Sequence, residues 1–456
     1  MQELNLSAIA AQLGCPCETQ AVVTRILTDS RACAPGALFV AILGERVDGH
    51  DFAAAALRQG AEAVVAEHPI EGVDPARVLL VENTKRALIR IGALVRDRFD
   101  IPFVGVTGSV GKTTTKEFTA AVLSAKYRTH KNIGNQNNEL GVPNTLFALG
   151  PEHEAAVIEM GMSGFGEIHD LAVAVRPAVG VITSIGVSHL EHLGSRENIL
   201  KAKLEIRDGM PDGAPLLLCG DNDLLAGVRD ERLRVLFYGV TNPECGIRAC
   251  EIEERDGATR FTILSPWGEY TAQIPTIGQH NVLDALAAFA VGCLMDVDPE
   301  VAAKALADYL PTGMRQKITS RRGLTVVEDC YNCSPDSLKA AALTLGSYPA
   351  KGRRIMVLSD MLELGEREKE LHAACGRFIA RQEIDLLLAC GPLSRATIDG
   401  AIEAGMERAA YFESKEALAA ELRTAARAGD VVWFKASRGQ KLEEVIAAVY
   451  GEEENA

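Results

Sequence analysis

Residues 104–116 read VGVTGSVGKTTTK. An apolar run ends in Gly108 and Gly111 and passes into a lysine and three threonines. This order predicts a strand, a tight loop and a helix, the repeating unit of a parallel α/β sheet. Glycines let backbone N–H groups turn toward an anion, and the N-terminus of the following helix adds positive potential. Lys112 is placed to reach the β- and γ-phosphates of a nucleotide, and the Thr113 hydroxyl to hold Mg²⁺. Thr107, Ser109, Val110 and Thr114 complete the cradle with Gly108 and Gly111. The standard phosphate loop has another glycine where Val106 stands, so this one is a tighter TGxxGKTT. It names ATP or GTP with Mg²⁺, not a reaction.

Strand signals recur outward from this stretch, at AAVIEMG, AVGVITSIG and PLLLCG, with helical patterns between them. Such alternation predicts a parallel sheet covered by helices. The stretch 247–274 reads instead as a hairpin or meander, with turns at DG and PWG. Three blocks are expected: 1–82, 83–312 and 313–456. The first has an Ala-rich helix pattern and the short strands AEAVVAE and RVLLVE. The third repeats the β–α rhythm at LTVVEDC, RRIMVLSDM, IDLLLACG and DVVWFKAS, after a linker at LPTGMR. The acidic end GEEENA reads as a frayed tail.

At 456 residues, more than one domain is expected. A net charge of −15 argues against a general nucleic-acid binder, which needs a basic face. No apolar stretch approaches the ~20 residues of a membrane span. The opening MQELNLSAIAAQLG lacks the pattern of a signal peptide, so the cytoplasm is the expected compartment. The eleven cysteines include a CPC at 15–17, without a second pair at zinc-ligand spacing. Cys219, Cys293 and Cys390 sit in apolar contexts and read as small core residues.

The motifs TGSVGKTTTKE, NIGNQNNELGVP, IEMGMSGFGEI and SIGVSHLEHLGS, in that order, resemble the central domain of the Mur ligases. GQHNVLDALAA, GMR, VVEDCYNCSPDSLKAAL, VLSDMLELGE and FKASRG extend the resemblance, and DSR…PGALFVAILG…DGHDF carries it to the N-terminus. It implies an N-terminal α/β domain for a UDP-linked precursor, a central P-loop ATPase-type parallel sheet, and a Rossmann-like C-terminal domain for the ATP ribose and the incoming dipeptide. DxYNxxP and DMLELG resemble the branch of the family that adds D-alanyl-D-alanine to UDP-N-acetylmuramoyl-tripeptide, the last cytoplasmic step of muramoyl-pentapeptide synthesis. The implied reaction transfers the γ-phosphoryl of ATP to a carboxylate, then lets an amine displace phosphate. A monomer is expected.

A carboxylate is a poor electrophile, and its phosphorylation brings two anions together, so the site must cancel charge. Lys112, the loop N–H groups and Mg²⁺ suit that task, and a second metal could bridge carboxylate and γ-phosphate. Glu159 and His189 end neighbouring apolar strands and are candidate ligands, with Glu191 and His192 as competitors nearby. The resemblance points to Glu159 and His189. It also implies that Lys203 is carbamylated, becoming an anionic metal ligand beside Thr113, Glu159 and His189. Carbamylation needs a neutral amine, hence a lowered pKa. Lys201 should face elsewhere on the helix.

Asn281 is the expected adenine contact, Arg315 a phosphate contact and Asp329 the ribose contact. Where the family has a second Asn, Asp284 stands. Asn135, Asn137 and Asn138 suit a sugar-peptide substrate, and Ser30 and Arg31 the UDP end. Tyr331, Asn332, Lys435, Ser437 and Arg438 are expected near the dipeptide or phosphates. Cys333, Ser334 and Ser359 replace the family's usual Ala, Asn and Gly there. Two other readings remain open: a different ligase of this superfamily, such as the muramoyl-tripeptide synthetase or folylpolyglutamate synthase, or a P-loop module without ligase activity.

Overall fold

The computed structural model describes residues 3–451 apart from Glu18, Glu45 and Asp256. Asp256 of the expected DG turn and the tail 452–456 lie outside the described residues. The short apolar runs of the first block form strands. They are β1 (Leu4–Asn5), β2 (Val22–Val23), β3 (Arg25–Leu27), β4 (Ala37–Val40), β5 (Ala63–Ala66) and β6 (Val78–Leu80). β3 to β6 make a parallel sheet in chain order, and β1 pairs antiparallel with β2. The helix Thr84–Arg96, whose first turn is capped by Asn83, opens the second block and packs on helices of both the first and the second.

The second sheet has nine strands: β7 (Phe103–Thr107), β8 (Thr129–Lys131), β9 (Ala155–Glu159), β10 (Val179–Ile182), β11 (Pro215–Cys219), β12 (Arg234–Gly239), β13 (Ile247–Arg255), β14 (Ala258–Ser265) and β15 (Gly268–Ile274). From β8 to β13 all neighbours are parallel, and β13 to β15 extend the sheet as an antiparallel meander. β7 is buried at every position because β9 and β10 flank it and helices cover both faces. Val106 pairs with Glu159 on one side and Val181 on the other. It is a core residue of the strand, so the loop begins at Gly108 and needs no glycine at 106. The chain leaves β7 toward β9 on one side and later crosses to β10 on the other. This places the loop where strand order reverses, the position at which open α/β sheets bind ligands.

The third sheet is β16 (Lys317–Arg321), β17 (Leu324–Asp329), β18 (Arg354–Leu358), β19 (Leu386–Cys390), β20 (Ala409–Phe412) and β21 (Val431–Lys435). Its order is 16-17-21-18-19-20, parallel except for the β16–β17 pair. Separate apolar clusters cover its two faces, one around Leu338, Cys375 and Ile398, the other around Leu418, Leu422 and Ile446. All eleven cysteines are free, and Cys219, Cys293 and Cys390 are buried. Among the described residues, no helix is long and apolar enough to cross a membrane.

Candidate nucleotide and ligase site

The loop after β7 owes its path to two glycines. A Cβ at Gly108 (φ +149°) would lie 1.9 Å from Thr183 Oγ1, and one at Gly111 (φ +90°) 2.5 Å from Asp284 Oδ1. Two loop amides are already used: Ser109 N donates to Ser184 O (2.9 Å) and Val110 N to Ser184 Oγ (3.0 Å). Gly111 precedes the helix Lys112–Ser124 without a side-chain cap, so the amides of its first turn remain for an anion. Lys112 Nζ folds back onto Gly108 O (2.8 Å), and burial lowers its pKa despite the opposing pull of Glu159.

This loop faces the third sheet across a cavity of about 500 Å³. Ser109 to Thr114, Asn135, Asn137, Asn138, Glu159 and His189 line it from the central block. Asn281, Arg315, Asp329, Tyr331, Asn332 and Lys435 line it from the adenine-side helix, the linker and the third block. Thr107, Gly108, Lys203, Ser30, Arg31, Ser437 and Arg438 do not reach it. Thr107 is still strand. Arg31 is an exposed side chain paired with Asp29. Ser437 Oγ accepts from Leu362 N (3.0 Å) and donates to Cys333 O, while Arg438 pairs with Glu443.

Glu159, at the end of β9, is 1 % exposed. Thr113 Oγ1 donates to its Oε2 (2.8 Å) and Asn137 Nδ2 to its Oε1 (2.7 Å). Behind it lie residues the sequence reading did not assign. Lys116, fully buried, pairs with Glu117 (3.0 Å), donates to Asn132 O (2.9 Å) and stands 3.9 Å from Glu159 Oε2. Asn132 Oδ1 accepts from Glu159 N (2.6 Å). The sequence shows only two charged residues after TTT; that they lie on the buried face of the helix comes from the fold.

A hydroxyl beside a buried carboxylate offers the hard oxygen donors that Mg²⁺ takes. His189, in a left-handed conformation (φ +61°), points its Nδ1 to within 2.9 Å of Glu363 Oε2. The pair is at ion-pair distance without hydrogen-bond alignment. Lys203 is 1 % exposed, whereas Lys201 faces solvent. Among the described residues the Lys203 side chain has no hydrogen-bond or ion-pair partner. Burial, with Lys112 adding like charge, drives its pKa well below the usual lysine value.

Toward the adenine end, Asn281 Nδ2 donates to Ile277 O (2.6 Å) and Gln316 Oε1 (2.7 Å). That leaves its Oδ1 as the amide atom able to accept from an exocyclic amine. Gln316 also receives a bond from Thr276 and lies 3.0 Å from the His280 ring. Burial holds His280 down to about 4, so the ring is neutral. Arg315 stacks on Tyr331 at 3.7 Å. Asp329 Oδ2 receives Lys435 Nζ (2.7 Å) and Trp433 Nε1 (3.3 Å). Ser334 lines the cavity and also caps the helix Pro335–Ser347 in a capping box with Ser337.

A second cluster, Asp48, His50 and His68, lies in the first block. Both nitrogens of His50 are used, Nδ1 with Asp48 Oδ1 (2.6 Å) and Nε2 accepting from Glu67 N (2.9 Å). His50 therefore braces the fold and is not free to ligate.

A P-loop helix that meets a second α/β unit across one polar cavity defines a nucleotide-dependent enzyme closed by that unit. Three family models match the chain in order: the Mur ligase family catalytic domain at 22–93, the Mur ligase middle domain at 106–292 and the Mur ligase glutamate ligase domain at 314–438. The chain is 38 % identical over 441 residues to the UDP-N-acetylmuramoyl-tripeptide–D-alanyl-D-alanine ligase of Bacillus subtilis, covering 96 % of this chain and 95 % of that one. It is 34 % identical over 432 residues to the Escherichia coli protein of that name, covering 93 % of each. A crystal structure of MurF from Acinetobacter baumannii superposes with a TM-score of 0.91 at 29 % identity, covering 99 % of this chain and 100 % of that one. MurF from Thermotoga maritima, in complex with ADP, gives 0.85 at 29 % identity, covering 93 % and 97 %. The chain belongs to the Mur ligase family of ATP-dependent amide ligases.

Proposed function

We propose that the chain joins D-alanyl-D-alanine to UDP-N-acetylmuramoyl-tripeptide at the expense of ATP, completing the muramoyl-pentapeptide precursor of peptidoglycan. Similarity to ligases of that name along nearly the whole chain carries the reading. The cavity supports it, since the phosphate loop and DxYNxxP face each other across one space. The uncapped amides of the Lys112 helix bind the β- and γ-phosphates. Lys112 swings from Gly108 O onto them, cancelling charge as the phosphoryl group moves to the tripeptide carboxylate. Asn281 Oδ1 accepts from the adenine amine, and Asp329 holds the ribose. The third block closes the cavity and excludes water, which would hydrolyse the acyl phosphate. The dipeptide amine, after giving one proton to water, attacks the acyl carbon; the bond from that carbon to the phosphate oxygen breaks, phosphate leaves with the electron pair, and the nitrogen sheds a second proton to give the amide.

Thr113 and Glu159, with His189 and a carbamate on Lys203, would hold Mg²⁺, which would supply further charge neutralisation, with two ions as the expected number. Burial lowers the pKa of the Lys203 amine and so favours the neutral form, which is the one that adds CO₂. Asn135, Asn137 and Asn138 line the path for the muramoyl-peptide, and Ser30 and Arg31 take the distant UDP end on the first sheet. The blocks 1–82, 83–312 and 313–456 divide these tasks.

Incubation with ATP, Mg²⁺, D-alanyl-D-alanine and UDP-muramoyl-tripeptide, carrying lysine or diaminopimelate in separate arms, is expected to give pentapeptide mass and one phosphate per product. Absence of phosphate release in both arms would sink the reading. Bicarbonate is expected to stimulate the wild type but not Lys203→Ala, whose residual rate falls by about 10²-fold or more, the scale of losing one preorganised charged group.

A further inference from the structure

The reaction proposed above needs a primary amine, which is an ammonium near neutral pH, to approach the acyl phosphate. The cavity is lined by cationic groups that repel an ammonium, among them Lys112, Arg315 and Lys435. Its acidic lining comprises Glu159, Glu167, Asp284, Asp329 and Glu363. Four of these are committed. Glu159 holds Thr113 and Asn137. Glu167 accepts from Ser163 N (3.0 Å) and Gly164 N (2.9 Å), closing its own loop. Asp329 is neutralised by Lys435. Asp284 is fully enclosed, bonded to Thr115 and driven toward its uncharged form by burial.

Glu363 differs. It comes from the third block, in the DMLELG segment after β18, and its side chain is 58 % exposed. Its Oε2 faces His189 Nδ1 at 2.9 Å, and its Oε1 has no partner among the described residues. The residue holds a left-handed backbone, φ +63°, at a cost that a non-glycine residue bears where the surrounding structure imposes it. His189 opposite is held the same way. The two strained residues aim a carboxylate from one unit at the phosphate-loop edge of the other.

We infer that Glu363 is the amine-recognition residue of this ligase, its carboxylate receiving the ammonium of the incoming dipeptide beside the phosphate loop. The inference rests on the reaction proposed above and names the group that orients its second substrate. An ammonium of the dipeptide takes the place that His189 Nδ1 occupies, so one carboxylate serves domain contact first and substrate second. An amine bound this way arrives beside the phosphate loop, near Lys112, and gives up one proton before it attacks the acyl carbon.

The test measures KM for each substrate in wild type, Glu363→Gln and Glu363→Asp. Glu363→Gln is expected to raise the dipeptide KM by about tenfold or more, the effect of losing one charge-assisted contact. KM for ATP and for UDP-muramoyl-tripeptide should stay within about twofold, as for loss of binding to one substrate only. Glu363→Asp should recover part of the loss. Acyl phosphate trapped by borohydride, without dipeptide, should match the wild type. Inhibition by D-lactyl-D-alanine, which lacks the ammonium, should be equal in wild type and Glu363→Gln. An unchanged dipeptide KM, a matching rise in the ATP KM, or weaker inhibition by the hydroxy analogue overturns the inference. If the wild type itself makes no pentapeptide, the proposed reaction fails instead.

Discussion

Asp284 shows how one buried group can depart from its family's pattern and keep the site intact. Its carboxyl lies beneath the phosphate loop, accepting from Thr115 Oγ1 at 2.9 Å. Burial raises its pKa well above the ordinary 3.8, and the Thr115 bond offsets only part of that. A protonated carboxyl has the shape of an amide, with one donor and one acceptor end, so it can stand where the family has Asn. The folded chain keeps a proton here that the unfolded chain has lost. Stability therefore falls as pH rises above the unfolded value toward the folded one. Asp284→Asn removes that dependence and is expected to stabilise the protein at pH 8 by about 1–3 kcal/mol, the scale of a buried polar penalty. At pH 4 the two proteins should be nearly equal. Thermal unfolding from pH 4 to pH 8 checks this, and parallel curves would count against it. The residue types Lys112, Thr113, Glu159 and Asn281 were legible because each belongs to a motif with a chemical reason. Lys116, Gln316 and Glu363 were not, because their roles depend on partners far away in sequence.

At the scale of elements, the loop after β7 is held as tightly as the strand before it. Gly108 sits at φ +149° with Thr183 Oγ1 in the place of a Cβ. Gly108→Ala therefore meets both a backbone penalty of about 1–3 kcal/mol and a clash. It is expected to weaken ATP binding by about tenfold or more, read as a smaller nucleotide-induced shift in melting temperature. Adding Thr183→Ala removes the clash but not the φ penalty, so the double variant should recover only part of the affinity. Full recovery would mean that the backbone conformation costs nothing. The strands with long apolar runs, β7, β9, β10, β11, β18, β19 and β21, were legible in the sequence for a related reason. They are buried on both faces, and continuous apolar runs mark that state. β8 (THK), β16 (KITSR) and β20 (AAYF) were missed because each lies at the edge of its sheet, where pairing on one side leaves side chains half exposed. β12 (RVLFYG) was missed although it is interior, since the meander leaves much of it half-covered.

At the scale of the whole molecule, the site exists only while the third sheet sits over the central one. Sequence motifs could say that both contribute, but not which contacts hold them together. The contacts combine an apolar one, Ile277 buried in the third sheet's cluster, with polar ones: His189 with Glu363, Gln316 with Thr276 and Asn281, and Val187 N donating to Asp336 Oδ2 at 3.1 Å. Three of the eight described non-glycine residues with positive φ, His189, Gln316 and Glu363, lie where the units meet. Polar contacts of this kind make an interface that can open to admit substrates and close to exclude water. Asp336 is the contact whose removal leaves the chemistry untouched, for its carboxylate serves a backbone amide and does not line the cavity. Asp336→Ala is expected to weaken closure by about 1 kcal/mol, the net worth of one hydrogen bond, lowering the closed-to-open ratio about fivefold. Small-angle scattering of the free protein should then show a larger radius of gyration than in the wild type. Saturating ATP should narrow the difference if nucleotide bridges the loop and Asp329, as in the proposed binding mode. KM for ATP should rise by up to about that factor, since binding is drawn from the closed fraction. Identical scattering curves and an unchanged KM would show that Asp336 does not hold the units together.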